Sequence, residues 1–600
     1  MTQNSKKTIH IGGASGYWGE SAMATPQLLA HPDLDYLVYD YLAEITMSIM
    51  ARAKAKDPSR GFATDFVELV MKPFAAQIAA KGVKVIANAG GVNPQACGAA
   101  VRALVAEKGL DLKVAVITGD DFMKNRDKIA TEGIVDMFSK TPFPDVEKIM
   151  SINAYLGAFP IAKALRAGAD IVITGRCVDS AVTLGACIHE FDWKPSDLSL
   201  LASGSLAGHI LECGPQATGG NFTDWEDSHD IGNIGYPICE VSGDGSFITT
   251  KPESTGGIVN VGTVSEQMLY EIGDPQHYIL PDVICDFSKV KIEQEAPNRV
   301  SVSPAQGHCP PETYKVCLTY MDGYRAGTYM TIYGINATAK AAKLADAGFD
   351  RAQRTLRMFN LGDFTETSIE ILGAGSQMGE YHDANEVVLK VAVKHPEAKG
   401  VGIFLKELAG LGLATPPGLS GFTGAGRARP SPIVRLFSYK AYKHYTNISI
   451  DVDGKTISHS DVKPMLKTDP NDPIAKPERK QPDKISDAEV EVPLIKLAWG
   501  RSGDKGDKAN VGIIARKAEY LPYIWAALHE DFIRETYAHF IPSTIDRFYL
   551  PGSNSMNILM DKILGGGGAA SLRNDAQAKG YAQILLAKTI KVSKDIAESL

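Results

Sequence analysis

The sequence predicts an α/β protein with a mainly parallel N-terminal sheet, then an α+β region, then a small α+β domain at the C-terminus. Three observations carry this. Short unbroken apolar runs alternate with amphipathic stretches over residues 1–234, the pattern of parallel strands joined by right-handed helical crossovers. From Gly235 to about residue 460, glycine, proline and β-branched residues become dense and antiparallel segments are expected. Residues 461–491 carry Pro464, Pro470, Pro473, Pro477 and Pro482 with almost no large apolar side chain, and read as an extended linker to residues 492–600.

Five strands are expected in the first region: Thr8–Ile11, Leu34–Asp40, Val83–Ala89, Leu112–Thr118 and Asp170–Thr174. Each is a short apolar run stopped by Gly, Asn or Asp. Helices are expected at Ser21–Ala30, Leu42–Lys56, Asp65–Lys81, from Pro94 through Leu104, and at Ala162–Ala167. In the second region Gly257–Val264 and Tyr314–Tyr320 read as antiparallel strands, Ala337–Ala347 as a helix and Asp363–Leu372 as a strand. A glycine-rich loop, Gly418–Gly426, precedes Arg427 and Arg429. In the last region Val492–Ala498, Asn510–Ala515, Phe548–Leu550 and Met556–Leu564 read as strands, and Leu521–Tyr537 and Leu572–Ala587 as helices. Gly500–Asp507 reads as a loop of glycines and charges. That order suits a small sheet with helices on one face.

Of the 600 residues 44% are hydrophobic and 22% charged, enough apolar content for several cores. A net charge of −8 argues against whole-protein attraction to nucleic acid or an anionic membrane, while leaving room for a local basic pocket. No charged-then-apolar leader opens the chain, and no run approaches about 18 apolar residues, so a cytoplasmic location is expected. The eight cysteines are scattered, with no CxxC pair and no zinc-type spacing. Neither a metal nor a disulfide is expected.

Four constellations carry chemistry. Gly13, Gly16 and Gly19 stand between a strand and a helix, with Tyr17 among them and Asp40 at the end of the next strand. Such a turn either cradles a diphosphate, with the acid on a ribose, or is a tight turn lining some other pocket. A Tyr439/Lys443 pair has the spacing of a reductase couple but lies far along the chain. Second, the carboxyl ends of the expected parallel strands gather Gly13, Asp40, Asn88, Gly90, Gly91, Asn93, Asp120, Asp121, Arg176 and Asp179. Ligands bind at that edge of a parallel sheet, although each residue alone also suits a turn or a helix cap. Third, His209 and Glu212 would share a face of a helix, either as a general acid/base couple or as a structural hydrogen bond. Beside them Cys213 is either a nucleophile or an inert buried thiol. Thr218, Gly219 and Asn221 follow, and the glycines from Gly214 to Gly220 could bring backbone N–H groups to a thioester oxygen. Fourth, Arg501-Ser502-Gly503-Asp504-Lys505-Gly506-Asp507 is either an internally paired salt-bridge loop or the completion of a pocket across a domain or subunit boundary.

Several runs together resemble a known family. They are Gly12-Gly13-Ala14-Ser15-Gly16-Tyr17-Trp18-Gly19-Glu20, Asp40-Tyr41-Leu42-Ala43-Glu44, Asn88-Ala89-Gly90-Gly91-Val92-Asn93-Pro94 and Asn153-Ala154-Tyr155-Leu156-Gly157-Ala158. Further on come Thr174-Gly175-Arg176-Cys177-Val178-Asp179-Ser180-Ala181, the stretch from Gly208 to Asn221, the Arg501–Asp507 run and Asn510-Val511-Gly512. Over nearly its whole length the chain resembles the acyclic terpene utilisation AtuA family, with a large N-terminal domain and an appended ferredoxin-like domain. The resemblance implies a place in citronellol and geraniol breakdown, by way of geranyl-CoA and its carboxylated derivatives. It implies hydratase or lyase chemistry on a branched acyl-CoA. In that picture Glu212 moves a proton, His209 or Asp179 assists, and Arg176 holds a substrate carboxylate. No tightly bound cofactor is expected, only coenzyme A as part of the substrate. The expected partners are that small molecule and further copies of the chain. The alternatives are an NAD(P)-dependent oxidoreductase using the Gly13–Gly19 turn, and a non-catalytic acyl-CoA-binding partner of a carboxylase.

Overall fold

The computed structural model describes residues 8–20, 22–421, 428–461, 479 and 481–600. Strands β1 (Thr8–Gly13), β2 (Tyr36–Tyr39), β3 (Lys84–Ala87), β4 (Val114–Thr118) and β6 (Ile171–Thr174) are parallel, in the order β1-β2-β3-β6-β4. They are the five expected ones. The strand between β4 and β6 in the chain, β5 (Ile149–Ala154), was not expected, because its mixed sequence IMSINA lacks a continuous apolar run. It leaves the parallel sheet and pairs antiparallel with Thr313–Tyr333, a strand of 21 residues.

The parallel core is extended on both flanks by antiparallel strands. β7 (Ile238–Ser242) pairs with β1, and β8 (Phe247–Thr250) pairs with β7. Arg299–Val302 and Ile292–Ala296 continue outward from β8. On the other flank Ile448–Val452 pairs with β4, and Lys455–His459 with Ile448–Val452. The sheet therefore crosses the expected division at 234/235, and segments from 235–460 complete it. The reason is edge protection: each exposed edge of the parallel core is covered by a later segment. A second sheet is built on Thr313–Tyr333, flanked by Glu386–His395 and Ser431–Tyr442, with Ala337–Met358 and Ala398–Gly410 packed over it. Of the glycine-rich loop, residues 422–427, with Arg427, lie outside the described residues.

Gly257–Val264 was expected to be a strand, since Ile258, Val259, Val261 and Val264 are β-branched. It is instead the entry to a helix, Val261–Leu269. A capping box decides the matter: Asn260 Oδ1 accepts from the Thr263 N–H at 2.9 Å, and Thr263 Oγ1 accepts from the Asn260 N–H at 3.1 Å.

Residues 492–600 form an antiparallel sheet in the order Ala498–Lys505, Lys508–Ala515, Ser555–Met560, Ile545–Leu550. Gly500–Asp507 is thus no loop. Most of it is strand, and Gly506, at φ 68°, turns the chain in a two-residue hairpin. The run pairs as a strand with Lys508–Ala515, and Arg501, its first charge, is buried against another domain. The expected helix Leu572–Ala587 shrinks to Tyr581–Leu586, since Asn574, Asp575 and Gly580 interrupt it. Of the expected linker, residues 462–478 and 480 lie outside the described residues. Arg479 pairs with Asp274 and lies over the Phe548 ring, and residues 481–489 form neither helix nor strand.

One face of this small sheet carries its own helices, and the other docks on the Val261–Leu269 helix. Gly512 is required there, because a Cβ would meet Leu269 Cβ at 2.6 Å. Asn510 Nδ2 donates to Leu269 O at 2.6 Å, and Asn557 Nδ2 donates to Ile272 O at 2.8 Å and Gly273 O at 2.7 Å. Asp224 receives both Arg516 Nη1 and Nη2 at 2.6 Å. Both asparagines are fully buried. Asn510→Ala strands the Leu269 carbonyl and the Glu271 N–H, which donates to Asn510 Oδ1. We expect it to cost about 1–3 kcal/mol per buried group left unpaired. The check is a lowered thermal midpoint with faster amide exchange at residues 269–273.

Candidate active site

Parallel strands place their carboxyl ends on one edge, and the turns that follow crowd there. β2 delivers Asp40, β3 delivers Asn88 and β6 delivers Arg176. Asn88, fully buried, donates through Nδ2 to Asp40 Oδ1 and accepts the Tyr41 N–H at 2.7 Å, so it fixes the acid in place. Arg176 is 3% exposed. Its Nη1 donates to Asp179 Oδ1 at 2.6 Å and to Cys177 O at 2.5 Å, and its guanidinium lies 4.1 Å from the Tyr155 ring centre. Asp120 accepts the Arg176 N–H at 2.9 Å and Asn153 Nδ2 at 2.8 Å. Burial pushes the Asp120 carboxyl up to about 6.

The Leu198–Glu212 helix brings the remaining groups. His209 and Glu212 do share a face, with Nδ1 and Oε1 2.7 Å apart. Burial raises the Glu212 carboxyl, and His209 partly offsets this. Burial, then the neighbouring Asp179 carboxylate, raises Asp40 well above the ordinary carboxyl range, with Arg176 opposing and Glu212 adding to the rise. Among the described residues His209 Nε2, Arg176 Nε, Gln267 Oε1 and Gln216 Oε1 are buried without a hydrogen-bond partner. Gln267 Nε2 donates to the backbone of His209.

Several expected site residues do other work. A Cβ on Gly13 would meet Leu211 O at 2.6 Å, and one on Gly16 would meet Glu212 O at 2.9 Å. The N–H groups of Gly13, Ala14 and Gly16 donate to Pro237 O, Val38 O and Glu20 Oε2. The turn is closed by the end of the His209/Glu212 helix, which fills the space a diphosphate would need. It still stands beside the site. Tyr17 is 60% exposed. Asn93 holds Pro58 O and Arg60 O, and Gly91, at φ 53°, packs on Met50 and Gly61. Gly90 abuts Thr174 O. Thr218 Oγ1 donates to Gly235 O and Pro215 O, the Gly220 N–H donates to Pro215 O, and Gly219 packs on Ser228. Asn221 O accepts Arg501 Nη1 at 3.0 Å. The 218–221 turn is therefore spent on packing and on docking the C-terminal domain. Burial pushes the Cys213 thiol far up, with Glu212 adding to this, so it is not poised as a thiolate. Arg176 is too enclosed to clamp a substrate carboxylate with both arms.

Other groups were not anticipated at the site. Tyr155 donates to Glu44 Oε1 at 2.6 Å, and Lys315 Nζ stands 3.5 Å from the same oxygen. Burial would raise Glu44, but Lys315, Arg176 and this hydrogen bond prevail and hold it low. Glu44, Tyr155, Arg176 and Cys317 line one small, partly open depression. Glu44 and Tyr155 both lie in runs that also carry Asp40 and Asn153, and that proximity was the available signal. Tyr278 comes from a distant segment, and Lys505 belongs to the Arg501–Asp507 run, for which completion of a pocket across a domain boundary was one of the two expectations. The Lys505 Nζ lies 5.4 Å from the Tyr278 ring centre, and the His209 and Tyr278 ring centres are 6.2 Å apart. Among the described residues no His, Cys, Asp and Glu cluster could hold a metal ion, and no helix is long and apolar enough to cross a membrane.

Fold and site together define a mixed α/β protein whose parallel-sheet edge is closed by a ferredoxin-like C-terminal domain. Family comparison is specific about both parts: the acyclic terpene utilisation family protein AtuA matches residues 9–451, and the AtuA ferredoxin-like domain matches residues 492–591. The chain belongs to this family. No curated protein and no solved structure matches it.

The raised Asp40 carboxyl has a consequence for stability. Above the ordinary value of 3.8 the unfolded chain loses this proton while the native protein keeps it. Stability contributed there falls as pH rises through that range. Asp40→Asn should therefore raise the thermal midpoint at pH 8 and lose this advantage toward pH 4. A midpoint difference independent of pH would count against the assignment.

Proposed function

We propose that this chain is an acid–base enzyme acting on a branched, terpene-derived acyl-CoA, by hydration of a double bond or by the related lyase reaction. The observation that carries the reading is the enclosed His209–Glu212 couple set beside Asp40 and Asp179 at the edge of the parallel sheet. A hydration needs one group to take a proton from water as its oxygen attacks the β-carbon, and one to give a proton to the α-carbon. A raised carboxyl is suited to holding and returning a proton near neutral pH. Glu212 is assigned the proton transfer. His209 sets its charge across 2.7 Å. Asp40, held by Asn88, is the second protonatable group, and Asp179 is oriented by Arg176. Membership of the acyclic terpene utilisation family supports the substrate class. Coenzyme A enters only as the carrier of the acyl group.

The test is incubation of the pure protein with geranyl-CoA and with its carboxylated and hydrated derivatives, read by mass spectrometry. Conversion of at least one is expected. Glu212→Gln should lower kcat by about 10²–10⁴ while leaving affinity within about tenfold, because it removes a proton-transfer group and little volume. Full activity in that variant sinks the assignment. Cys213→Ala should retain turnover.

A further inference from the structure

The C-terminal domain does more than cover the sheet edge. Along Ala498–Lys505 the side chains alternate between faces. Ser502 faces its own domain, donating to Ala578 O at 2.6 Å. Trp499, Arg501, Gly503 and Lys505 face the N-terminal region. Trp499 Nε1 donates to Asp224 at 2.6 Å, Arg501 lies over the Tyr270 ring, and Gly503 closes on Tyr270 and Glu271. Lys505 is the last of the series, at the hairpin tip. The tip is braced from behind: the Gly566 N–H donates to Asp507 Oδ1 at 2.8 Å, and Gly567 packs against Gly506 O, where a Cβ would stand at 2.5 Å. The positive φ of Gly565, Gly566 and Gly567 shapes that brace.

Among the described residues Lys505 has no ion-pair or hydrogen-bond partner for its ammonium, whereas nearby Lys579 is tied to Glu271 and Tyr270. Lys505 lies exposed at the hairpin tip; crowding by protein disfavours its charge, but Tyr278, Glu271, Asp179 and Glu212 outweigh this and hold the ammonium protonated. Its ammonium lies 5.4 Å from the centre of the Tyr278 ring, whose neighbour is His209. The backbone N–H of Gly220, a candidate for receiving a substrate oxygen, is already spent on Pro215.

We propose that Lys505, supplied by the C-terminal domain, is a catalytic residue that binds the anionic oxygen of an acyl thioester, either a carboxylate already on the substrate or the enolate oxygen formed during reaction. This rests on the acyl-CoA reading above. In the enolate case the α-carbon–hydrogen bond breaks, its proton goes to the Glu212 carboxylate, and its electron pair moves onto the thioester oxygen facing Lys505. The lysine keeps its own proton throughout and stabilises the charge.

Two measurements on the full-length protein test this. The first needs no substrate: competitive acetylation with acetic anhydride, read peptide by peptide. Lys505 and Lys56 are both exposed, so severalfold slower labelling of Lys505 is expected from the carboxylates that hold it protonated and not from shielding. Glu212→Gln, which removes a facing charge, should speed its labelling relative to wild type. The second compares Lys505→Met with Lys505→Arg on the acyl-CoA panel. A fall in kcat of about 10²-fold with unchanged binding identifies the enolate oxygen. Weaker binding with unchanged kcat identifies a carboxylate. Arginine should recover part of either loss. Labelling of Lys505 that ignores Glu212, with Lys505→Met matching wild type in kcat, KM and affinity, overturns the proposal. A wild-type protein that neither binds nor converts any acyl-CoA overturns the acyl-CoA reading instead, and the labelling comparison then decides by itself whether Lys505 belongs to the charged site.

Discussion

The carbonyls at the C-terminal end of the Val261–Leu269 helix must find donors in a place without water. An α-helix leaves its last carbonyls unpaired, and this one ends against a sheet rather than in solvent. The amides of Asn510 and Asn557 meet Leu269 O, Ile272 O and Gly273 O from another part of the chain. Neither partner is satisfied without the other. Docking of the C-terminal domain is thus enforced by hydrogen-bond accounting as well as by apolar contact. Once Asn510 is fixed, the hairpin register fixes Gly503 opposite it and carries Lys505 to the tip.

That constraint reaches the electrostatics of the sheet edge. A guanidinium as buried as Arg176 is stable only with its charge answered, and Asp179 is its close partner. Asp40 and Glu44 lie farther out in the same field and respond in opposite directions. Glu44 has Lys315 and the Tyr155 hydroxyl beside it and stays ionised. Asp40 is driven toward its neutral form by burial first, then by Asp179 and Glu212. Pushing apart the proton affinities of neighbouring carboxyls is how one pocket acquires both an acid and a base. Lys505 closes this array from the opposite side, so its balance depends on a residue some 450 positions beyond Asp40 in the chain.

Local signals made the parallel core legible. All five parallel strands are short apolar runs closed by turn residues, and the contact between His209 and Glu212 was readable from their i, i+3 spacing. What escaped is what tertiary contact decides. The β-branched stretch before Leu269 became a helix through Asn260 and Thr263. The Arg501–Lys505 run became a strand by pairing with Lys508–Ala515, with Arg501 buried against the other domain. Strands such as Ile448–Val452 joined the first sheet across more than three hundred residues of chain, which no window of sequence reveals.

The glycine turn shows how one motif admits two readings, a phosphate cradle or a tight turn beside another pocket. Glycines after a first β-strand suggest a phosphate cradle because a bare backbone admits close approach. Here the approaching group is protein. Leu211 O and Glu212 O come close enough to Gly13 and Gly16 that a methyl group at either would push the helix end away. The same helix end carries His209 and Glu212, and the residue after β2, Asp40, donates its N–H to Ser15 O within the turn. The turn therefore sets the separation between the acid of the second strand and the couple on the helix. A side chain at Gly13 or Gly16 would move the helix end with its Glu212 and leave Asp40 tied to the turn, so these glycines set the relative position of the two carboxyls.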